Sequence, residues 1–375
     1  MSDDKPKTRR PANTAFKQQR LKAWQPLLTP KSVLPTLFIL GVIFAPLGAF
    51  LLHTSNSVSE LIIDYTDCIS AAPSALTAVA SSKNIASFNA PGANANADIS
   101  LQWKAVNSTA NGIPQNTCTL QFTLPTTLVA PVFMYYRLTN FYQNHRRYVK
   151  SFDAGQLKGS TTTASVVSNC APLAKPDPNG NAVYYPCGLI ADSMFSDFIG
   201  NLKAQGGSGT DFEFSDKGIA WPADASKYGT LTGFDANVHL PPPHWKVWYP
   251  TGKYPSAPDF ATNERFQVWM RTAGLPNFRK LYGRNDGTNL NAGTYQIEIQ
   301  DNFEVKSFGG TKSLVISTVS FMGGKNPFLG LAYIVVGGIC ILLAIVFAVR
   351  HMTSPRKLGD HTYLSWNHQP PPSTN

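Results

Sequence analysis

Hydrophobic positions along the chain fall into two patterns, long unbroken runs near the ends and strict alternation between them. Residues 33–52 read VLPTLFILGVIFAPLGAFLL and residues 328–349 read FLGLAYIVVGGICILLAIVFAV, and neither run contains a charge. An α-helix rises about 1.5 Å per residue, so about 20 residues cross a hydrocarbon core of about 30 Å. In lipid the backbone must satisfy its own hydrogen bonds, which a helix does within one segment. Both runs therefore predict transmembrane helices. A cleaved signal peptide does not account for the first, because a basic leader of 31 residues precedes it. Its apolar core also exceeds the roughly 7–15 residues that such peptides use.

Between the runs the period is two. Tyr295, Ile297 and Ile299 fall on one face of a strand over 294–300, with Gln296, Glu298 and Gln300 on the other. Further strands are predicted at 61–66, 99–106, 117–124, 132–138 and 313–321, separated by turn signals at Asn111-Gly112, Asn285-Asp286-Gly287 and Pro241-Pro242-Pro243. Short helices are predicted at 193–199 and 263–272, and long loops at 71–98 and 171–182. The fold class that follows is a membrane protein with two transmembrane helices and a β-rich, antiparallel, sandwich-like domain with long loops. Pairing of the strands at 61–66 and 313–321 would bring the tops of the two membrane helices together.

Charge changes the picture through its location. The chain of 375 residues is 43% hydrophobic and 14% charged, with a formal net charge of +10. Residues 1–31 hold eight Lys/Arg against Asp3 and Asp4, and residues 350–375 hold Arg350, Arg356 and Lys357 against Asp360. The middle keeps 21 basic and 19 acidic residues, so no phosphate-binding stripe crosses it and no nucleic-acid partner is expected. Basic flanks stay cytoplasmic. The expected partition is a cytoplasmic basic tail at 1–32, spans at 33–52 and 327–349, an extracellular or luminal domain at 53–326, and a cytoplasmic tail at 350–375.

Two further features fit an oxidising compartment. Cys68, Cys118, Cys170 and Cys187 lie in the middle segment, an even number that suggests two disulfides with three possible pairings, and Cys340 lies in the second span. Spacings of 50, 52 and 17 residues offer no C-x2-C or His pair, so no zinc site is expected. Asn107-Ser108-Thr109 is a glycosylation acceptor, meaningful only on the luminal side.

No catalytic motif stands out. A nucleophile elbow, a Walker loop, H-E-x-x-H and an EF-hand loop are absent. Gly309-Gly310-Thr311-Lys312-Ser313 resembles the end of a phosphate loop but lacks the first glycine, and reads as a turn before a strand. His145, His239 and His244 are isolated and read as surface or structural histidines; Asp192 and Asp197 read as capping or solvated carboxylates. Neither cofactor nor metal is implied. Two aromatic-basic clusters do stand out, Asn140-Phe-Tyr-Gln-Asn-His-Arg-Arg-Tyr-Val-Lys and Phe278-Arg-Lys-Leu-Tyr-Gly-Arg. Tyrosine with arginine is typical of binding hot spots, and equally of internal anchors in which a guanidinium stacks on a ring. Arg146, Tyr148, Arg279 and Tyr282 are the candidate partner-binding residues.

These clusters also carry a resemblance. With Arg10-Pro-Ala-Asn-Thr-Ala-Phe-Lys-Gln-Gln-Arg, Pro186-Cys-Gly-Leu-Ile-Ala-Asp-Ser-Met-Phe, Phe308-Gly-Gly-Thr-Lys and Gly324-Lys-Asn-Pro-Phe-Leu-Gly, they make the chain closely similar to the cell-division-control-protein-50 family. These proteins are the accessory (beta) subunits of lipid flippases. The resemblance implies a noncatalytic subunit of a type-four P-type ATPase that moves phospholipids between leaflets, with roles in folding, export from the endoplasmic reticulum and the transport cycle. It also implies sequential pairing, Cys68 with Cys118 and Cys170 with Cys187. The alternatives are a two-span ion-channel or receptor subunit. Neither span shows a polar stripe to line a pore.

Overall fold

The computed structural model describes residues 10–23, 28–88, 99–110, 113–160, 168–206 and 210–355. The Asn111-Gly112 turn, residues 89–98 of the loop expected at 71–98, and the C-terminal tail from residue 356 onward lie outside the described residues. Among the described residues the principal helices are α1 (Pro30–Asn56), α2 (Cys68–Ala71), α3 (Arg146–Lys150), α4 (Ala154–Leu157), α5 (Leu189–Asp192), α6 (Pro222–Ala225), α7 (Glu264–Met270) and α8 (Phe328–Thr353). The principal strands begin with β1 (Glu60–Asp64), β2 (Thr77–Ala78), β3 (Asn84–Ser87), β4 (Leu101–Val106), β5 (Thr117–Leu124) and β6 (Val132–Leu138). They continue with β7 (Phe198–Ile199), β8 (Lys203–Gln205), β9 (Phe278–Asn285), β10 (Gly293–Gln300) and β11 (Lys312–Thr318). The chain divides into two compact units, residues 1–52 with 328–375, and residues 53–327.

The first unit is built on two helices long and apolar enough to cross a membrane, α1 and α8. They run antiparallel, because Gly41 faces Ile341 while Gly48 faces Ile334. Small residues set their separation. A Cβ at Gly48 would lie 2.7 Å from the Ile334 nitrogen, and one at Gly337 would lie 2.8 Å from the Ala45 nitrogen. Membrane helices approach this closely where glycine removes the side chain, which favours van der Waals contact between backbones. Phe44 and Tyr333 close the same face with ring centroids 5.0 Å apart. Phe38, Ile39, Ile43 and Phe50 on α1, and Leu331, Val335, Ile339 and Leu342 on α8, are each more than half exposed. Such an apolar surface is stable only against lipid or further membrane helices.

The second unit is an antiparallel β-sandwich with a large insertion. One sheet has the order β9-β6-β11-β1-β3, the other β7-β10-β5-β4-β2, with β8 also on β10. The expected pairing of the first and last strands is present, with Glu60 opposite Ser317 and Asp64 opposite Ser313. Alternation does what the pleat requires. Tyr295, Ile297 and Ile299 are buried, and so are Leu120, Phe122 and Leu124 on the neighbouring β5. Met134, Tyr136, Leu314 and Ile316 of the other sheet join them in one core. Each such side chain contributes about 1.5–3 kcal/mol by leaving water. The predicted strands at 117–124 and 132–138 match β5 and β6 end to end.

Residues 139–277 leave β6 and return at β9, carrying α3 to α7. The helix expected at 193–199 is not there. The helical turn is Leu189–Asp192, it ends where the Ser193 hydroxyl donates to the Leu189 carbonyl (2.7 Å), and Phe198–Ile199 is a strand paired with Gln300 and Ile299. The helix expected at 263–272 is α7, whose N-terminus is capped by the Asn263 side chain accepting from the Phe266 N–H at 3.0 Å. The structure joins Cys68 to Cys118, tying α2 to β5, and Cys170 to Cys187 within the insertion. Next to the second bond, Gly188 has φ +96°, and a Cβ there would collide with the Ser151 carbonyl, so only glycine fits.

Candidate partner-binding site

The first aromatic-basic cluster splits into an inner and an outer half. Asn140 opens it with φ +56° and donates from Nδ2 to the Phe308 carbonyl (2.6 Å). Phe141 then points into an aromatic group, 5.8 Å from Trp269, 6.0 Å from Tyr148 and 5.4 Å from Phe308. The buried Gln143 side chain accepts from the Ala273 N–H and donates to the Tyr148 hydroxyl, which also bonds Ser193 at 2.9 Å. Burial pushes the Tyr148 phenol up to about 12. Tyr142, His145, Arg146, Arg147, Val149 and Lys150 face solvent.

The second cluster is partly interior, with Lys280 and Tyr282 buried and Arg279 and Arg284 half-exposed. Arg279 pairs with Glu60 across the sheet and lies 5.0 Å over the Tyr135 ring. The pair also offsets the repulsion from Arg137, which the β6–β9 register places directly opposite Arg279. Lys280 turns inward and donates to the carbonyls of Val268, Trp269 and Arg271 at the end of α7, at 3.1, 2.5 and 2.5 Å. Desolvation, aided by the Arg271 charge, draws its ammonium down to about 7. Tyr282 is 4% exposed, its hydroxyl accepts the Ile199 N–H at 3.0 Å, and Arg265 stacks on its ring at 3.9 Å. Burial raises its pKa. Of the four candidate residues, the structure leaves Arg146 at the surface, half-exposes Arg279 in an ion pair, and turns Tyr148 and Tyr282 into the fold.

The remaining candidates take structural places. Asp192 and Asp197, expected to cap or to be solvated, are both buried, because each gathers donors from distant segments. Asp192 accepts from the His244 backbone and ring, the ring at 2.6 Å. Asp197 accepts from the N–H groups of Asn302 and Phe303, from the Tyr65 hydroxyl, and from Lys312 Nζ at 2.8 Å. Lys312 also reaches Asp301 and the Phe303 carbonyl, both at 2.7 Å. Burial raises the Asp301 carboxyl, with Lys312 pulling it back down. The Gly309–Ser313 segment is a turn entering β11, with Gly309 at φ +65°. His239 is buried against Phe234 and Tyr185. Asn107 is exposed.

Sequence reasoning missed the surface that assembles around α3. Val149 and Phe152 at its end meet Leu157 of α4, Ile190 of α5 and Met270 of α7, and enclose a groove of about 450 Å³ with Asp224, Lys227 and Arg271 at its lip. Arg271 also stacks on Trp221, 3.5 Å from the ring. No local signal joins these residues, because five separate segments of the insertion supply them. Among the described residues, no group of three His, Cys, Asp or Glu side chains is placed to hold a metal. The arrangement offers surfaces and anchors, with no convergent nucleophile and base among the described residues.

Known proteins resemble this chain over nearly its whole length. The model of the LEM3 (ligand-effect modulator 3) family / CDC50 family matches residues 51–357. The phospholipid-transporting ATPase accessory subunit CRF1 of Saccharomyces cerevisiae is 40% identical over 369 residues, which is 98% of this chain and 91% of that protein. The accessory subunit CDC50 of Chaetomium thermophilum is 40% identical over 97% of this chain and 92% of its own. Cell cycle control protein 50A of Bos taurus is 42% identical over 92% of this chain and 89% of its own. With its two membrane helices and β-rich domain, this integral membrane chain belongs to the LEM3/CDC50 family.

Proposed function

We propose that this chain is the noncatalytic accessory subunit of a phospholipid-transporting P-type ATPase, and forms a heterodimer with the catalytic subunit of the type-four class. The observation that carries the reading is end-to-end similarity, at 40% identity, to chains named accessory subunits of phospholipid-transporting ATPases. Both tails lie in the cytoplasm, following the basic flanks, and residues 53–326 lie outside or in a lumen, where Asn107 takes its glycan. The chain supports folding of the pump and its export from the endoplasmic reticulum towards the Golgi, endosomes or plasma membrane.

The subunit acts through its shape. A disulfide-tied sandwich changes little during a cycle, so it favours those ATPase conformations against which its contacts are best. Arg146 contributes to that contact directly. Tyr148, Arg279 and Tyr282 contribute by holding the contact surface in place. Purification of the tagged full-length chain from detergent-solubilised membranes tests the proposal. A P-type ATPase recovered in equal amount is expected; recovery of the chain alone, or only with copies of itself, rejects it in favour of a channel or receptor subunit.

A further inference from the structure

We propose that the turn preceding α8 is an interfacial membrane anchor, with Phe321 and Met322 inserted into the lipid headgroup layer of the leaflet at which α1 ends and α8 begins. The inference rests on the two membrane spans and goes beyond the proposed function, since it needs no ATPase.

The turn has the wrong chemistry for water. Ser320 and Gly323 close it through two reciprocal backbone hydrogen bonds of 2.9 Å, with Gly323 at φ +101°. The two residues between them are Phe321 and Met322, 77% and 37% exposed. Tight turns in solvent favour Gly, Pro, Asn, Asp or Ser at their tips, residues that suit both the bend and the water. Phenylalanine beside methionine at such a tip suits a boundary between water and hydrocarbon, where an apolar side chain is buried a few ångströms deep.

The fold holds this tip near the base of the spans. Helix α1 continues to Asn56, four residues past Leu52, where its apolar run ends. At 1.5 Å per residue those four residues rise about 6 Å beyond the hydrocarbon edge, and the headgroup layer is about 5–8 Å deep on each side. Ser55, in that last turn, accepts the Asn326 N–H on its hydroxyl at 3.0 Å. The Thr318 N–H donates to the Ser59 carbonyl at 2.9 Å, and the Ser59 N–H donates to the Thr318 hydroxyl at 3.0 Å. Phe321 is three residues from Thr318 and five from Asn326, so the turn hangs between two points tied to the end of α1.

Charge selects lipid as the occupant. From Ser313 to Val349 the only charged residue is Lys325, and residues 33–59 contain no Asp, Glu, Lys or Arg. Glu60, the first carboxylate beyond α1, is paired with Arg279. This end of the domain therefore meets lipid phosphates without repulsion from its stems. Lys325 stays beside them, its Nζ donating to the Ser87 hydroxyl at the end of β3, and a lysine placed there attracts phosphate as a point charge.

The test places benzoylphenylalanine at Phe321 in the full-length chain, reconstituted in phosphatidylcholine nanodiscs alone and together with its ATPase. Trp221, 60% exposed in the insertion, is replaced in the same way for comparison. After irradiation, mass spectrometry is expected to find a phospholipid adduct at position 321 in both preparations and none at 221. Absence of a lipid adduct at 321, equal adducts at both positions, or a crosslink from 321 only to the ATPase or to a second copy of this chain overturns the inference. A nitroxide on Phe321→Cys in a Cys340→Ala chain gives a second reading, because Cys340 is the one cysteine outside the two disulfides. The label is expected to be more accessible to oxygen than to a water-soluble nickel complex, with the reverse order for Trp221→Cys. A preference for nickel at Phe321→Cys overturns the inference. The preparation without ATPase decides the anchor alone, so failure of the proposed function leaves this result standing.

Discussion

Replacing Lys312 by methionine removes one charge from a cluster that the fold encloses. Lys312 Nζ lies 2.8 Å from Asp197 and 2.7 Å from Asp301, and the side chains of Lys312 and Asp197 are 2% and 0% exposed. Methionine has similar length and no charge, so the cavity stays filled while the Asp197 carboxylate keeps only neutral donors, the Tyr65 hydroxyl and two backbone N–H groups. Removing one partner of a buried ion pair costs about 3–5 kcal/mol, because the other charge remains desolvated. For a domain of this size each kcal/mol corresponds to about 2–4 °C, giving a fall in Tm of about 6–20 °C. Tryptophan fluorescence of the full-length chain, melted in detergent with disulfides intact, reads this directly. Adding Asp197→Asn to Lys312→Met should recover part of the loss, since the stranded charge is gone. A Tm for Lys312→Met within about 2 °C of the parent would refute the reasoning.

Other positions give independent outcomes. Burial raises the Glu264 carboxyl, but the N–H groups of Ala220, Gly218 and Ile219 outweigh it and leave the pKa lowered. A carboxyl lowered on folding stabilises above its unfolded value of about 4.3, and that contribution is lost as pH falls through the folded value; Glu264→Gln should melt lower at pH 7 and show a flatter decline below pH 4.3. Gly48→Leu places side-chain atoms against Ile334 and Gly330, so disulfide formation between cysteines introduced at Phe44 and Tyr333 should fall sharply. Opening the bonds separately by Cys68→Ser and Cys170→Ser releases closed loops with sequence separations of 50 and 17. Denaturant titration should show losses of about 4 and about 3 kcal/mol, the larger for the longer loop.

The elements written in short-range pattern were legible in the sequence. The spans follow from length and apolarity, and β5, β6 and β10 follow from alternation because each has one dry face. The strand β9 was hidden. Its inward positions include Lys280, which reaches three carbonyls and so reads as a surface cation within a binding cluster. Lys312 was hidden for the same reason, its partner Asp197 lying 115 residues away. The helix expected at 193–199 gives way to the pairing of Phe198–Ile199 with β10, a contact about 100 residues away in sequence that no local pattern shows. Asp192 and His244 each stood alone in sequence, and only the fold joins them. The groove at α3 was illegible because Phe152, Ile190 and Met270 become neighbours only after the insertion folds.

The central claim is that this chain completes a lipid-translocating ATPase without performing its chemistry. The direct measurement is ATP hydrolysis in phospholipid vesicles by this chain alone, by its catalytic partner alone, and by the two together. The account predicts no hydrolysis by the chain alone and phospholipid-stimulated, vanadate-sensitive hydrolysis that requires both. Hydrolysis by the isolated chain, or full lipid-stimulated activity of the partner without it, would contradict the account.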